Sequence, residues 1–219
     1  MAIVFGPDTF TVASDINIDA YPSGNPDYAY NVGSGSNLQV NAANDRVQAV
    51  LDGVFLTARC IDATAPTGDQ EATATVGAGL FDCPLLCARM ASSGTLTNYY
   101  YGYINLDNAN EVILCRLDDG SGVQLASAAR GLLAGTHTAR IKAIGAGATV
   151  AVEFQVDATT MLTYDDTSAT RKTSGPSGFG LDYENALGVC YIDDFQIDDL
   201  AAAGLSIPVA MDIYRQRRN

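Results

Sequence analysis

No tryptophan occurs anywhere in this sequence, and histidine occurs once, at His137. With one histidine, zinc would need most of its four ligands from cysteines, and no second pair accompanies Cys83 and Cys87, so no metal site is expected. A Ser/His/Asp or Cys/His arrangement likewise has only His137 to draw on, with no supporting constellation around it. Basic residues are scarce: 12 Lys and Arg stand against 25 Asp and Glu, for a net charge of −13. A nucleic-acid groove needs a basic face to neutralise phosphates, so nucleic acid is excluded as a partner. An acidic surface is instead suited to solubility or to a basic protein partner. No window approaches the roughly 18 apolar residues of a membrane helix. The nearest stretch, Leu200 to Tyr214, is interrupted by Pro208 and Asp212. The opening MAIVFGPDTF lacks a basic region followed by an apolar run, so no secretory signal is expected. Cys60, Cys83, Cys87, Cys115 and Cys190 are odd in number and read as reduced, mostly buried thiols.

What the chain does contain is β-prone sequence. Thr, Val and Ala are abundant, Gly numbers 21, and no long Leu/Glu/Lys helical stretch occurs. Short apolar runs recur from end to end. They predict strands at 8–13, 28–32, 37–40, 46–51, 54–61, 71–80, 85–91, 99–106, 111–117, 123–128, 137–144, 149–156, 161–164, 178–183 and 189–197. Asn44-Asp45, Asp107-Asn108, Asp118-Asp119-Gly120, Gly145-Ala146-Gly147 and Asp165-Asp166 read as turns between them. In TVAVEFQVD, Val150, Val152, Phe154 and Val156 share one face, which is half-buried strand patterning. EVILCRL is apolar on both faces and is expected near the centre of a sheet. Many strands without amphipathic helices mean an all-β, antiparallel sandwich, jelly roll or barrel. One domain is expected over 1–200. The remainder, 201–219, ends in Tyr214, Arg215, Arg217 and Arg218. A basic end on an acidic domain is expected to dock on a neighbouring subunit.

Two segments are candidate sites. TNYYYGY places Tyr99, Tyr101 and Tyr103 on one strand face and Tyr100 on the other. Such a row reads first as a cross-strand packing ladder, then as a protein-contact surface, and last as a platform for sugars. The stretch from Ser174 to Leu200 concentrates Asp182, Glu184, Asp193, Asp194, Asp198 and Asp199. Strict alternation from Val189 puts Asp193 with Tyr191, Phe195 and Ile197. Asp193 is therefore expected to be a buried structural acid, unless the strand carries a bulge. Asp182 and Glu184 lie roughly 6.6 Å apart at about 3.3 Å per residue, a spacing compatible with inverting glycoside hydrolysis. Glu153 and Asp157, roughly 13 Å apart, are too distant for it. Asp118-Asp119 and Asp165-Asp166 are the calcium candidates, and both read equally well as turn residues.

The order of these segments carries a resemblance. YYYGYINLDNANEVILCRL gives a strand pair, and GLLAGTHTARIKAIGAGATVAVEFQVDATTMLTYDD a His-bearing strand, a glycine turn and a second strand. SGPSGFGLDY and CYIDDFQID then close the domain, and GPDTFTVASD resembles the opening strand. The pattern resembles the concanavalin A-like lectin/glucanase superfamily, especially its laminin-G-like members. That resemblance implies a two-sheet antiparallel jelly roll and a structural role for His137. The superfamily's glucanases resemble one another in a Glu-x-Asp-x-x-Glu strand that is absent here, so no catalytic residues and no cofactor are expected. Two functions remain. The first is a non-enzymatic bacteriophage virion protein, a capsid decoration or tail component that assembles with other virion proteins and copies of itself. The alternative is a carbohydrate-binding module for host-surface glycans. The first implies synthesis in a host cytoplasm and residence in the virion.

Overall fold

The computed structural model describes residues 2–18, 28–31, 38–49, 54–60, 68–79, 82–91, 97–106, 110–132, 134–183 and 190–200. These form two antiparallel sheets. Numbered in chain order, one sheet runs β14 (Thr159–Asp166), β13 (Val150–Val156), β12 (Gly135–Ile144), β7 (Gln70–Ala78), β16 (Tyr191–Asp199), β5 (Arg46–Ala49), β4 (Leu38–Asn41), β2 (Ile16–Asn17). Its ninth strand, β1 (Ala2–Asp8), pairs with the C-terminal half of β16. The seven-stranded sheet runs β11 (Ser121–Ala129), β10 (Glu111–Asp118), β9 (Tyr99–Asn105), β8 (Asp82–Ala88), β15 (Gly178–Tyr183), β6 (Val54–Cys60), β3 (Tyr28–Asn31).

The β13 alternation is realised in full. Val150, Val152, Phe154 and Val156 are buried, while Ala151, Glu153 and Gln155 face outward. The inward residues of β13 meet Ile141 of β12, Val76 of β7 and Ile197 of β16 in one core with Leu86, Tyr100, Leu114 and Phe179 of the facing sheet. Each fully buried side chain of this size contributes about 1.5–3 kcal/mol. Contact across the core is tight. A Cβ added to Gly102 on β9 would lie 2.3 Å from the Phe154 ring, so the ring occupies the space that a side chain at 102 would fill. Phe179 packs edge-on against Phe195 and Phe10, with ring centroids at 4.9 and 5.7 Å.

Two tight hairpins join neighbouring strands through residues at positive φ, as the twist of antiparallel strands favours. One is Asp119-Gly120 between β10 and β11, and the other is Asp157-Ala158 between β13 and β14. The Asp165-Asp166 turn expected from sequence is not one. Both residues lie at the end of β14, and Asp166 is fully buried because Arg116 and Tyr100 supply its partners. The expected strand at 8–13 is also displaced: β1 ends at Asp8. Phe10 then takes φ 49° and enters the core, while its N–H donates to Asp8 Oδ1 at 3.0 Å. β10 sits one strand in from the edge and not at the centre. It is apolar on both faces for another reason, a second hydrophobic cluster on the outside of its sheet.

Asp193 is half-buried, not enclosed in the core. A bulge between Asp193 and Gln196, with Asp194 at φ 49°, resets the alternation. Ile192, Phe195 and Ile197 consequently all reach the core, and the extra residue turns the paired acids outward. The Asp194 N–H donates to Asp193 Oδ1 at 2.8 Å. The enclosed acid of this strand is Asp198, which accepts both of its bonds from Gln196 Nε2. Cys83, Cys87, Cys115 and Cys190 are buried and are not joined in disulfides. The expected tail with Tyr214, Arg215, Arg217 and Arg218 lies outside the described residues, as does Glu184.

Candidate functional site

β9 turns its residues alternately. Tyr100 enters the inter-sheet core, and Tyr99, Tyr101 and Tyr103 stand on the outer face of the seven-stranded sheet. There the tyrosines form a continuous row. Tyr99 meets Tyr101 edge-on with centroids 5.7 Å apart, and Tyr101 stacks on Tyr103 at 6.0 Å and 17°. Leu85 and Cys87 of β8, with Ile113 and Cys115 of β10, complete the cluster, and Met90 joins it. Tyr99 and Tyr101 are only 1% and 8% exposed, whereas Tyr103 is half-buried and is the end of the row that meets solvent. Burial, more than any neighbour, pushes all three phenols up from their ordinary value. It pushes the Cys87 and Cys115 thiols up as well, which keeps them protonated and unreactive.

Register extends this face across the sheet. One row runs Arg59, Gly178, Cys87, Tyr101, Cys115, and the next runs Thr57, Gly180, Leu85, Tyr103, Ile113. Because Phe179 and Leu181 point into the core, β15 presents Gly178, Gly180 and half-buried Asp182 to the outer face. Between β6 and β9 lie β8, with Leu85 and Cys87, and β15, where the Met90 sulfur fills the space that a side chain at 178 would take. Arg59 is 7% exposed and donates through Nη1 to the Ala91 carbonyl, but its Nε has no hydrogen-bond partner. The Thr57 hydroxyl approaches the Tyr99 phenol without reaching hydrogen-bond geometry. Aromatic surface with a few convergent polar groups is what small-ligand sites are made of. Thr57 and Arg59 alternate with Ala58 along VFLTARC, yet only the sheet order brings them opposite the tyrosines.

The polar cluster around Arg116 is internally satisfied. Arg116 holds Asp118 through Nε and Nη2 at 2.9 and 2.8 Å, and Asp166 through Nη1 at 2.7 Å. Tyr100 Oη donates to the same Asp166 oxygen at 2.7 Å and accepts from the Lys172 N–H at 3.0 Å. Lys172 Nζ closes the network on Asp118 and Asn98, both at 2.7 Å. Burial alone would raise Asp118, but the bonds from Arg116 and Lys172 outweigh it and bring the carboxyl down to about 2. Asp118 and Asp166 are therefore parts of a clasp between β10 and the segment after β14. Among the described residues no group of three or more His, Cys, Asp or Glu could hold a metal ion. His137 donates or accepts at Nδ1 with Asp157 Oδ2, 2.8 Å away, across the β12–β13 pair.

No family model and no curated protein matches the sequence. Solved structures do match the fold. A Bacillus subtilis protein of unknown function with a galectin-like fold superposes with a TM-score of 0.62 at 12% identity, covering 90% of this chain and 96% of that one. The Emp46p carbohydrate recognition domain, in a point-mutant form, gives 0.55 at 12% identity over 90% and 96%. Carbohydrate-binding module CBM66 from Bacillus subtilis gives 0.54 at 11% identity over 85% and 96%. The chain has the concanavalin A-like, lectin-type jelly-roll fold. At these identities the likeness concerns the fold alone.

Proposed function

We propose that this domain is a non-catalytic glycan-binding module whose saccharide site lies at the Tyr103 end of the tyrosine row, with Tyr99 and Tyr101 packed behind it. The observation that carries this reading is an aromatic row built outside the inter-sheet core, opposite two polar residues with unsatisfied buried atoms. Tyrosine rings stack on the apolar faces of sugars, and adjacent polar groups fix orientation. The matching structures are described as a carbohydrate-binding module, a carbohydrate recognition domain and a galectin-like fold, which supports glycan binding over virion assembly.

A glycan array followed by calorimetry on wild type and Tyr103→Ala tests it. Tyr103 is the most exposed end of the row, so the substitution is expected to leave the fold intact. A loss of about 1.4 kcal/mol, or tenfold in affinity, is expected. Wild type that retains no glycan, or a variant with unchanged affinity, would overturn the proposal.

A further inference from the structure

The strands at the ends of the two sheets are not equally protected against further pairing. β2 and β3 are only two and four residues long, and β14 carries Asp165 and Asp166. β11 is nine residues long, SGVQLASAA, and holds no charge and no proline. Short length, charges and prolines are the usual means of blunting a sheet edge. β11 has none of these, and its one irregularity is the bulge at Leu125. The strand is also open. Ser121, Gly122, Val123 and Gln124 are exposed, and Leu125, Ala126 and Ala128 are only partly buried against the core. Among the described residues three large apolar side chains stand exposed, and two of them are on this flank. They are Val123 at 39% and, at 36%, Tyr164 of β14, which lies beside β11.

The last residues of the chain carry the complementary pattern. In LSIPVAMDI, Leu205, Ile207, Val209, Met211 and Ile213 alternate with Ser206, Pro208, Ala210 and Asp212, the period of a strand with one apolar face. The run is nine residues long, as β11 is. Pro208 restricts such a strand to an edge, with its missing N–H on the side away from the partner. Arg215, Arg217 and Arg218 follow. We propose that residues 205–213 of a second copy of this chain add to β11 as an antiparallel edge strand, with the alternating apolar side chains laid over the Val123 and Tyr164 flank. Antiparallel pairing over matched lengths brings the arginines to exposed Asp119, in the turn before β11. Parallel pairing would bring them to Arg130, a like charge.

Reach assigns the strand to a second copy. Leu200 donates to the Asp69 carbonyl, and Arg89 and Lys172 link Asp69 to Asp118. The segment therefore departs at the end of the sandwich where β11 begins. An antiparallel strand must start at the opposite end, one strand length away, roughly 30 Å. Residues 201–204 allow Leu205 to lie at most roughly 18 Å from Leu200.

Sedimentation velocity of the full chain over a concentration series tests the pairing. Wild type is expected to self-associate. Ile207→Asp charges the apolar face of the added strand, and Val123→Lys places a charge at an exposed position of the acceptor. Each is expected to weaken association at least tenfold. Mixed in equal amounts, the two variants are expected to form a one-to-one complex, since one retains an intact β11 and the other an intact 205–213. Asp119→Asn keeps a residue suited to φ 48° while removing the charge. It is expected to weaken association several-fold at low salt and little at high salt. Wild type that stays monomeric at every concentration overturns the proposal, as does association unmoved by Ile207→Asp or by Val123→Lys. Two weakened variants whose mixture stays monomeric would show that the strand does not pass between copies, which overturns it as well.

Discussion

On the nine-stranded sheet the outward residues of β12 and β13 include Arg140, Lys142, Glu153 and Gln155, whereas the seven-stranded sheet turns Leu85, Cys87, Tyr101, Ile113 and Cys115 outward. The first set behaves as a solvated face. Lys142 bridges Glu71 and Glu153 at 3.3 Å to each, and Arg140 reaches Glu71 at 3.2 Å. The second set makes a hydrophobic cluster where a free sandwich would ordinarily meet water. A sandwich needs one buried face per sheet. A packed apolar cluster outside the inter-sheet core of the seven-stranded sheet is therefore more than is needed to hold the sheets together, and it singles out the tyrosine face.

Substitutions can break or sharpen this contrast. The largest effect is expected in the shared core. Phe154→Ala removes the ring that fills the space over Gly102 and is expected to cost about 3–5 kcal/mol in urea unfolding. On the outer face of the seven-stranded sheet, Leu85 is as enclosed as a core residue, and Leu85→Ala is expected to cost about 2–5 kcal/mol. A cost below about 0.5 kcal/mol there would mean the outer cluster is only loosely packed, and the contrast between the sheets would collapse.

The clasp predicts a smaller, pH-dependent effect. The folded value of Asp118, about 2, lies below the ordinary value of about 3.9. A depressed carboxyl contributes stability that is fully present above about pH 4 and is lost as pH falls toward 2. Urea midpoints measured from pH 5 to pH 2 should therefore fall, and Asp118→Asn should flatten the fall. An equal slope in the variant would remove Asp118 as its source. Smallest of all, Gln155→Ala on the outer face of the nine-stranded sheet is expected within about 0.5 kcal/mol of wild type.

Many strand positions were legible because half-buried strands announce themselves by alternation, as TVAVEFQVD does. The same rule failed where a face was not simply wet or dry. EVILCRL resembled a central strand because both its faces are apolar, one against the core and one in the outer cluster. Asp165-Asp166 looked like a turn because two consecutive acids carry no sign of the buried Arg116 that pairs with one of them. CYIDDFQID predicted either a buried Asp193 or a bulge, and the bulge is what the strand adopts. The tyrosine row was visible at Tyr99, Tyr101 and Tyr103. Its partners across the sheet were not, since Thr57 and Arg59 lie 40 or more residues earlier in the chain.

By itself the sequence determined the β class, the alternating strands and the grouping of three tyrosines on one face, all of which follow from local periodicity and turn chemistry. Only the tertiary structure decided which sheet packs an apolar cluster outside the core, which acids are paired, and that Thr57 and Arg59 share a sheet face with the tyrosines. Those outcomes depend on the order of strands within each sheet and on which charges meet across it. Both are set by long-range pairing, and neither leaves a mark in the neighbouring residues.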